Sequence, residues 1–434
     1  MKKSLFCLVV ILTFKSYAQN HETIDWINKN SIEIEDADPD SKLIGFSNNV
    51  PEKFKNAKIF GFGELSHDGK EYFNIKAKFF KHLVENYGVR SFIMEAGYQA
   101  ESSINEWITG TNDDISAIGR PFQIGFWYSE EVFNLLKWMR IYNLNRPEED
   151  QIKFYGMDVQ SGKNLNCEVR SFIENYGIPV QPDLLITLDK CSEKPIDYSS
   201  GASGWADVQA PNLVELQNQI NSYQRENQLT NLREFELVTR SIDVLIRYTQ
   251  YVQDPLSEVR DKKMFENAKW VIEQESKNGK AFIWAHNEHI NNRGMWSSNS
   301  GIENLGKHLK DYYGNGYYSV GFDFGIGKLK GYKNSKGKKG EWLIHTIEKP
   351  FKNTYSHTLF QADKAIIFID MGQASIGDKT IFFSTSNNTL SIGGGGFQPK
   401  PLHRIKMSKI YTEQYDGLIF IKEISPANNS VKIN

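Results

Sequence analysis

The chain has 434 residues, 40% of them hydrophobic, 13% aromatic and 24% charged, with a formal net charge of −2 at pH 7. That balance is too apolar for a disordered chain and too polar for an integral membrane protein. It also lacks the basic footprint of a nucleic-acid binder, and the length corresponds to about three structural units.

The chain opens with MKKSLFCLVVILTFKSYAQ, in which Lys2 and Lys3 precede a short apolar run from Leu5 to Phe14 and a small-residue site at Ser16-Tyr17-Ala18. This is the pattern of a secretory leader cut after Ala18. The run is too short for a retained anchor, and Lys15 closes it. Cleavage removes three lysines and no acid, which moves the net charge from −2 to −5. An exported protein, periplasmic or secreted and without membrane attachment after cleavage, is the expectation. Cys7 leaves with the leader; Cys167 and Cys191 remain. An oxidising compartment permits a bridge between them, and sequence leaves that open.

Short β-branched and aromatic runs then alternate with longer stretches of helical period. The candidate strands are KIFGF (58–62), RSFIME (90–95), KFYGMD (153–158), KAFIWA (280–285), YYSVGFD (317–323) and KAIIFID (364–370). Between the first two, Phe73, Phe79, Phe80, Leu83, Val84 and Tyr87 recur at helical steps near 71–87, and Gly88 supplies the stop. Residues 171–278 read as a helical subdomain inserted into the fold. The lysine- and glycine-rich stretch around 328–339 reads as an exposed, mobile loop, and SIGGGGF (391–397) as a flexible turn rather than a phosphate cradle. The predicted architecture is α/β: a largely parallel central sheet flanked by helices, with the helical insertion and a C-terminal extension of the sheet. Its parts are the leader (1–18), the first part of a catalytic core (19–170), the helical subdomain (171–278), the second part of the core (279–330) and a C-terminal α/β portion (331–434).

Five of these strands end in, or run directly into, an ionisable residue: Glu64, Glu95, Asp158, His286 and Asp323. Ligands of open α/β sheets bind beyond the carboxyl ends of the strands, so five such residues point to one crevice. Asp323 taken alone reads as a helix cap. Two strand ends carry more, since Glu64-Leu-Ser-His67 and His286-Asn-Glu-His289 each place a histidine three residues after an ionisable group. Lys76 falls in line with the buried stripe of its helix, where an ammonium needs carboxylate partners.

No G-x-S-x-G elbow occurs, and neither remaining cysteine falls at a predicted site. Two chemistries stay open. A histidine oriented by a carboxylate activates water directly, while lysine and the other histidines stabilise an oxyanion. Alternatively His286, His289, His67 and a glutamate hold a divalent metal. H-x-x-H is a weaker metal spacing than H-E-x-x-H, and Lys76 would repel a cation, so metal-free hydrolysis without a cofactor is favoured. Trp107, Trp127, Tyr128 and Trp296 are candidates for the wall of a substrate pocket, alongside Asp158.

The series Gly63-Glu64-x-x-His67, Glu71-x-Phe73-x-x-Lys76, Met94-Glu95, Gly156-Met-Asp158 and Trp284-Ala285-His286-Asn287-x-His289 resembles the erythromycin esterase family, in the same order from about residue 45 to 325. The resemblance implies an α/β core with a helical subdomain and a metal-independent hydrolase of an ester or macrolactone. It further implies that His67 is the general base and that Glu64, Lys76, Glu95, His286 and His289 line its site. One departure stands out. The family usually has glycine directly after the first histidine, whereas this chain has Asp68 before Gly69. Because the family includes proteins named for exopolysaccharide biosynthesis, the resemblance also leaves a non-catalytic carbohydrate-binding or polysaccharide-assembly role as an alternative.

Overall fold

Strands form where β-branched and aromatic residues run together, and in chain order they are β1 (Ile32–Glu33), β2 (Ile59–Phe62), β3 (Ser91–Gly97), β4 (Lys153–Asp158), β5 (Ala281–Trp284), β6 (Tyr317–Ser335), β7 (Lys338–Ile347), β8 (Ile366–Asp370), β9 (Asn387–Leu390), β10 (Lys406–Lys409) and β11 (Gly417–Ile424). The helices used below are α1 (Lys70–Tyr87), α2 (Glu101–Thr109), α3 (Leu165–Tyr176), α4 (Pro182–Glu193), α5 (Ser203–Asn227), α6 (Leu232–Gln253) and α7 (Val259–Trp270). This computed structural model describes residues 21–118, 127–193, 203–254, 258–295, 301–335, 338–375, 381–400, 403 and 405–429. The leader expected at 1–18 and the pocket residue Trp296 lie outside them. None of the described helices is long and apolar enough to cross a membrane.

The chain divides into two units. The larger comprises Met1–Arg90, Ser129–Leu135 and Asn278–Val431, the smaller Ser91–Tyr128, Leu136–Lys277 and Lys432–Asn434. In the larger unit the strands lie in the order β1-β8-β11-β6-β2-β5, with β7 paired to β6 outside this path. β2 runs parallel to both β5 and β6, and β11 runs parallel to β6. The antiparallel members are β8 on β11, β1 on β8 and β7 on β6. The middle of this sheet is therefore parallel and its C-terminal extension mixed.

α1 covers the sheet with the stripe that its periodicity announces. Phe79 packs on Phe62 at 5.0 Å between ring centroids, Phe80 on Phe282 at 5.3 Å and Phe73 on Trp284 at 5.5 Å. Burying each such ring stabilises the fold by about 2–3 kcal/mol. Gly88 ends the helix in the left-handed region at φ 70°, and both its N–H and that of Val89 return to Leu83 O.

In the smaller unit β3 and β4 pair in parallel, with a bulge between Met94 and Gly97. Gly156 permits their close approach, because a Cβ there would sit 2.2 Å from Gly97 O. The Asn105 side chain of α2 both donates to Phe154 O and accepts from Phe154 N–H at 2.8 Å, so β4 keeps its backbone bonds satisfied. The chain from Leu165 to Glu275 is helical among its described residues, as the periodicity indicates. α3 to α6 share an apolar core that includes Val169, Phe172, Leu188, Leu216, Ile242 and Leu245. Cys167 is exposed, Cys191 is buried, and both are free thiols, so no bridge joins them.

One expectation is overturned. Over its described residues the lysine-rich stretch is not a loop: β6 continues to Ser335 and pairs antiparallel with β7, with Tyr332 opposite Trp342 and their rings 5.3 Å apart. Burial alternates from Lys328 to Tyr332, with Leu329 and Gly331 inward, a pattern that the lysine- and glycine-rich composition conceals. The glycine-rich segment is likewise tied at both ends, by bridges from Ile392 to Ser66 and from Gly396 to Gly331.

Asp323, a predicted strand end, lies inside the long β6 and is fully buried. Its carboxylate accepts from Ser356 Oγ and Tyr411 Oη at 2.8 Å and from Phe324 N at 2.7 Å, and burial pushes its pKa up to about 6. Between about pH 4 and 6 the folded state thus holds a proton that the unfolded chain has released, so stability falls as pH rises through this window. Asp323→Asn should flatten that segment of the curve of Tm against pH, whatever its cost in absolute Tm. Independently, Gly88→Ala should lower stability by about 1 kcal/mol, read as a lower urea midpoint at unchanged m value.

Candidate functional site

Beyond Phe62 the chain leaves β2 through Gly63, where a Cβ would lie 2.1 Å from Asn287 Oδ1. Glycine therefore lets the end of β2 press against the turn that follows β5. Asn287 N–H donates to Glu64 O at 2.9 Å, while its side chain donates to Phe322 O at 2.7 Å and accepts from Phe322 N–H at 3.1 Å. Asn287 thus continues the sheet pairing with a side chain, and the loops after β2 and β5 are locked to β6.

Glu64 sits at the centre and is fully buried. One oxygen lies 2.6 Å from His67 Nδ1 and the other is paired with the Lys76 ammonium. An ionised carboxylate only accepts, so Nδ1 carries the proton and the lone pair of the neutral ring is on Nε2. His67 is the member of the three that reaches the surface, with 12% of its side chain exposed. Lys76 is fully buried and lies 3.8 Å from the Trp284 ring centroid, where the π face adds to the attraction of Glu64. Lys76 was expected to stabilise an oxyanion. Instead it is enclosed, paired with Glu64 and packed on the Trp284 ring.

The His67 and His286 rings are 5.0 Å apart, and the His286 and His289 rings 6.5 Å. His286 is also reassigned. Its Nδ1 accepts from Glu288 N–H at 3.2 Å and its Nε2 lies 3.1 Å from Leu65 O, a pattern that requires the neutral Nε2–H tautomer. With both nitrogens on backbone, His286 holds the His67 loop to its own turn rather than serving an oxyanion. Leu65 O also accepts from Ile392 N at 3.1 Å, which places the glycine-rich segment along the same loop. His289 is buried beside them. Among the described residues, no group of three or more His, Cys, Asp and Glu side chains is arranged to hold a metal ion.

Several acids at the site take partners that have no signature in the sequence. Glu288, which stands between the two histidines in sequence, is buried and accepts from Lys409 Nζ at 2.7 and 2.8 Å. Asp68 turns away from solvent, accepting from Lys330 N at 2.6 Å and Ala427 N at 3.2 Å, with Lys330 Nζ 3.3 Å from its carboxylate. Burial raises the Asp68 pKa, against the lowering effect of Lys330. Glu71, part of the recognised series, accepts from Ser425 N at 2.6 Å and Ser425 Oγ at 2.7 Å. Partners more than a hundred residues apart leave no local pattern to read.

The smaller unit gathers the other candidates around Arg260, which the sequence reading missed. Its Nη2 is 2.8 Å from Glu95 Oε1 and 2.7 Å from Asp158 Oδ2, and its Nε is 2.9 Å from Asp158 Oδ1. The two acids hold the guanidinium pKa well above its usual value, against the cost of burial. Asp158 also accepts from Val159 N at 2.7 Å, so it anchors Arg260 rather than presenting a bare carboxylate. Trp127 is buried, with its indole N–H on Glu95 O at 2.9 Å, and forms part of the packing instead of a pocket wall. Trp107 is likewise buried, and Tyr128 is half-buried.

The geometry can be set beside known proteins. The family model described as erythromycin esterase matches residues 84–424. The chain is 23% identical over 342 residues to erythromycin esterase type II of Escherichia coli, covering 71% of this chain and 77% of that one. To the putative hydrolase YbfO of Bacillus subtilis (strain 168) it is 21% identical over 457 residues, covering 98% of each. Its fold is similar to that of a solved succinoglycan biosynthesis protein, with a TM-score of 0.76 at 18% identity over 95% of this chain and 99% of that one. Matched by the family model over well more than half its length, this chain belongs to the erythromycin esterase family.

Proposed function

We propose that this protein is a hydrolase of esters, most naturally of a lactone or macrolactone, in which His67 activates water without a metal or other cofactor. The single observation that carries the reading is the Glu64–His67 contact of 2.6 Å, which fixes the tautomer and leaves Nε2 as the proton acceptor. The membership of the erythromycin esterase family and the similarity to a putative hydrolase support the same reading.

In this mechanism His67 Nε2 takes a proton from water as the oxygen attacks the ester carbonyl. Glu64 stabilises the imidazolium that forms, as a buried carboxylate does for a catalytic histidine. The tetrahedral adduct then expels the alkoxide, which recovers the proton from His67. Lys76 keeps Glu64 charged, His286 sets the spacing of the two loops, and His289 is assigned to the carbonyl oxygen. The reading of residues 1–18 as a cleaved leader extends the proposal to an exported enzyme, periplasmic or secreted, whose partner is a small ester and not nucleic acid or membrane.

A second reading, a carbohydrate-binding or polysaccharide-assembly protein on the same fold, draws support from the succinoglycan biosynthesis protein. Mass spectrometry of lactone and macrolide mixtures incubated with the protein separates the two. The hydrolase reading requires a gain of one water on at least one compound, with turnover unaffected by chelators. No mass change across the panel, together with a glycan that raises Tm, supports the binding protein.

His67→Asn should lower kcat by at least about a thousandfold without loss of fold. Glu64→Gln should lower it by about a hundredfold to ten-thousandfold, since a neutral amide neither fixes the tautomer nor stabilises imidazolium. Turnover should fall on acidification as His67 takes up a proton and can no longer accept one from water; an activity flat across that range removes the assignment.

A further inference from the structure

Each histidine-bearing loop carries an acid that the mechanism above leaves without a task. Asp68 follows His67 directly, and Glu288 lies between His286 and His289. Both acids are buried, at 3% and 5% exposure. An uncompensated carboxylate beside an imidazole favours the imidazolium, which cannot accept a proton. Each acid meets one lysine from the last third of the chain. Lys330 reaches Asp68 from β6, and Lys409 reaches both oxygens of Glu288 from the end of β10.

We propose that Lys330 and Lys409 are positioning residues, which neutralise Asp68 and Glu288, fix the two histidine loops and keep their imidazoles neutral at working pH. The inference rests on the assignment of these loops to ester hydrolysis. Lys330 is itself held, donating through Nζ to Ala427 O at 2.7 Å and Asn429 Oδ1 at 2.6 Å. Its own N–H enters Asp68, so backbone and ammonium of one residue clasp the same carboxylate. The β6–β7 ribbon and the segment after β11 therefore act on the base through one residue beside it. At the other loop, the Glu288 N–H that bonds His286 Nδ1 belongs to the residue that Lys409 anchors, so side-chain pairing and imidazole tautomer are joined covalently.

The charges around these imidazoles are identifiable. Glu64, and Lys76 behind it, face His67, while Asp68 and Lys330 lie on its C-terminal side. Glu288 and Lys409 face the 286–289 turn, and the Tyr415 phenol senses the Glu288 charge. His345 on β7 lies against Gly331, next to Lys330. Farther along the turn, Arg293 pairs with Glu413. Lys330 pairs with Asp68 and Lys409 with Glu288, and removal of either lysine changes the local charge by one full unit.

Two readouts on the full chain test the proposal: histidine pKa values by NMR titration, and the acid limb of kcat/KM against pH. Lys330→Met should raise the His67 pKa, and with it the acid limb, and Lys409→Met the pKa of a histidine in the 286–289 turn, each by about one unit. Asp68→Asn and Glu288→Gln, which leave the ammonium unopposed, should move the corresponding readouts the opposite way. The paired variants Asp68→Asn/Lys330→Met and Glu288→Gln/Lys409→Met should return them to wild-type values. If a lysine variant fails to fold because it buries a bare carboxylate, the acid and paired variants still decide the sign. Folded variants whose histidines titrate as in the wild type, or paired variants that fail to restore, overturn the proposal. NMR needs no turnover, so histidine shifts of the expected sign in a protein that hydrolyses no ester would refute the proposed function and leave this inference standing.

Discussion

A buried carboxylate shared by an imidazole and an ammonium governs the larger unit. Glu64 cannot be charged at full burial without compensation, and Lys76 supplies it from α1. Once Glu64 is charged, His67 must present its N–H to it, and the basic nitrogen is determined. Nothing in that chain of consequences requires a motif; it requires only that the end of β2 and the second turn of α1 face one another. The phenylalanine stripe of α1 ensures that they do, because Phe73 seats the helix on Trp284, over whose ring the Lys76 ammonium lies. Packing and site electrostatics thus share the same residues.

The second loop is built on the same logic with backbone as the currency. His286 spends both nitrogens on main-chain atoms, and Asn287 spends its amide on β6. Residues that look catalytic by type are here the fasteners that bring two strand-end loops within one ring's reach. Distinguishing the two roles needs the partner atoms, since histidine as a fastener and histidine as a base are the same letter in a sequence.

That difference explains what was legible. The six expected strands all exist, and α1 begins and ends within about a residue of the expected 71–87, because local periodicity and capping are written in neighbouring residues. Glu64, His67, His286 and His289 are singled out by sequence because they follow strand ends of a parallel sheet, and Lys76 because it falls in the buried stripe of its helix. Arg260, Lys330 and Lys409 were not, since each meets its acid across more than a hundred residues of chain and stands in an unremarkable local context. The lysine-rich stretch was misread for a related reason. Composition signals solvent exposure, and a β-ribbon edge is as exposed as a loop. Asp68 stands beside His67 in sequence, but the lysine that pairs with it comes from β6, far along the chain.

The central claim is that water, not a side chain, attacks the substrate. Single-turnover hydrolysis of an ester in water enriched in oxygen-18, with the intact protein and product both weighed by mass spectrometry, tests it directly. Direct attack predicts one heavy oxygen in the carboxylic acid product and a protein of unchanged mass at every time point. A transient acylated protein, mapped to any side chain, would contradict the account.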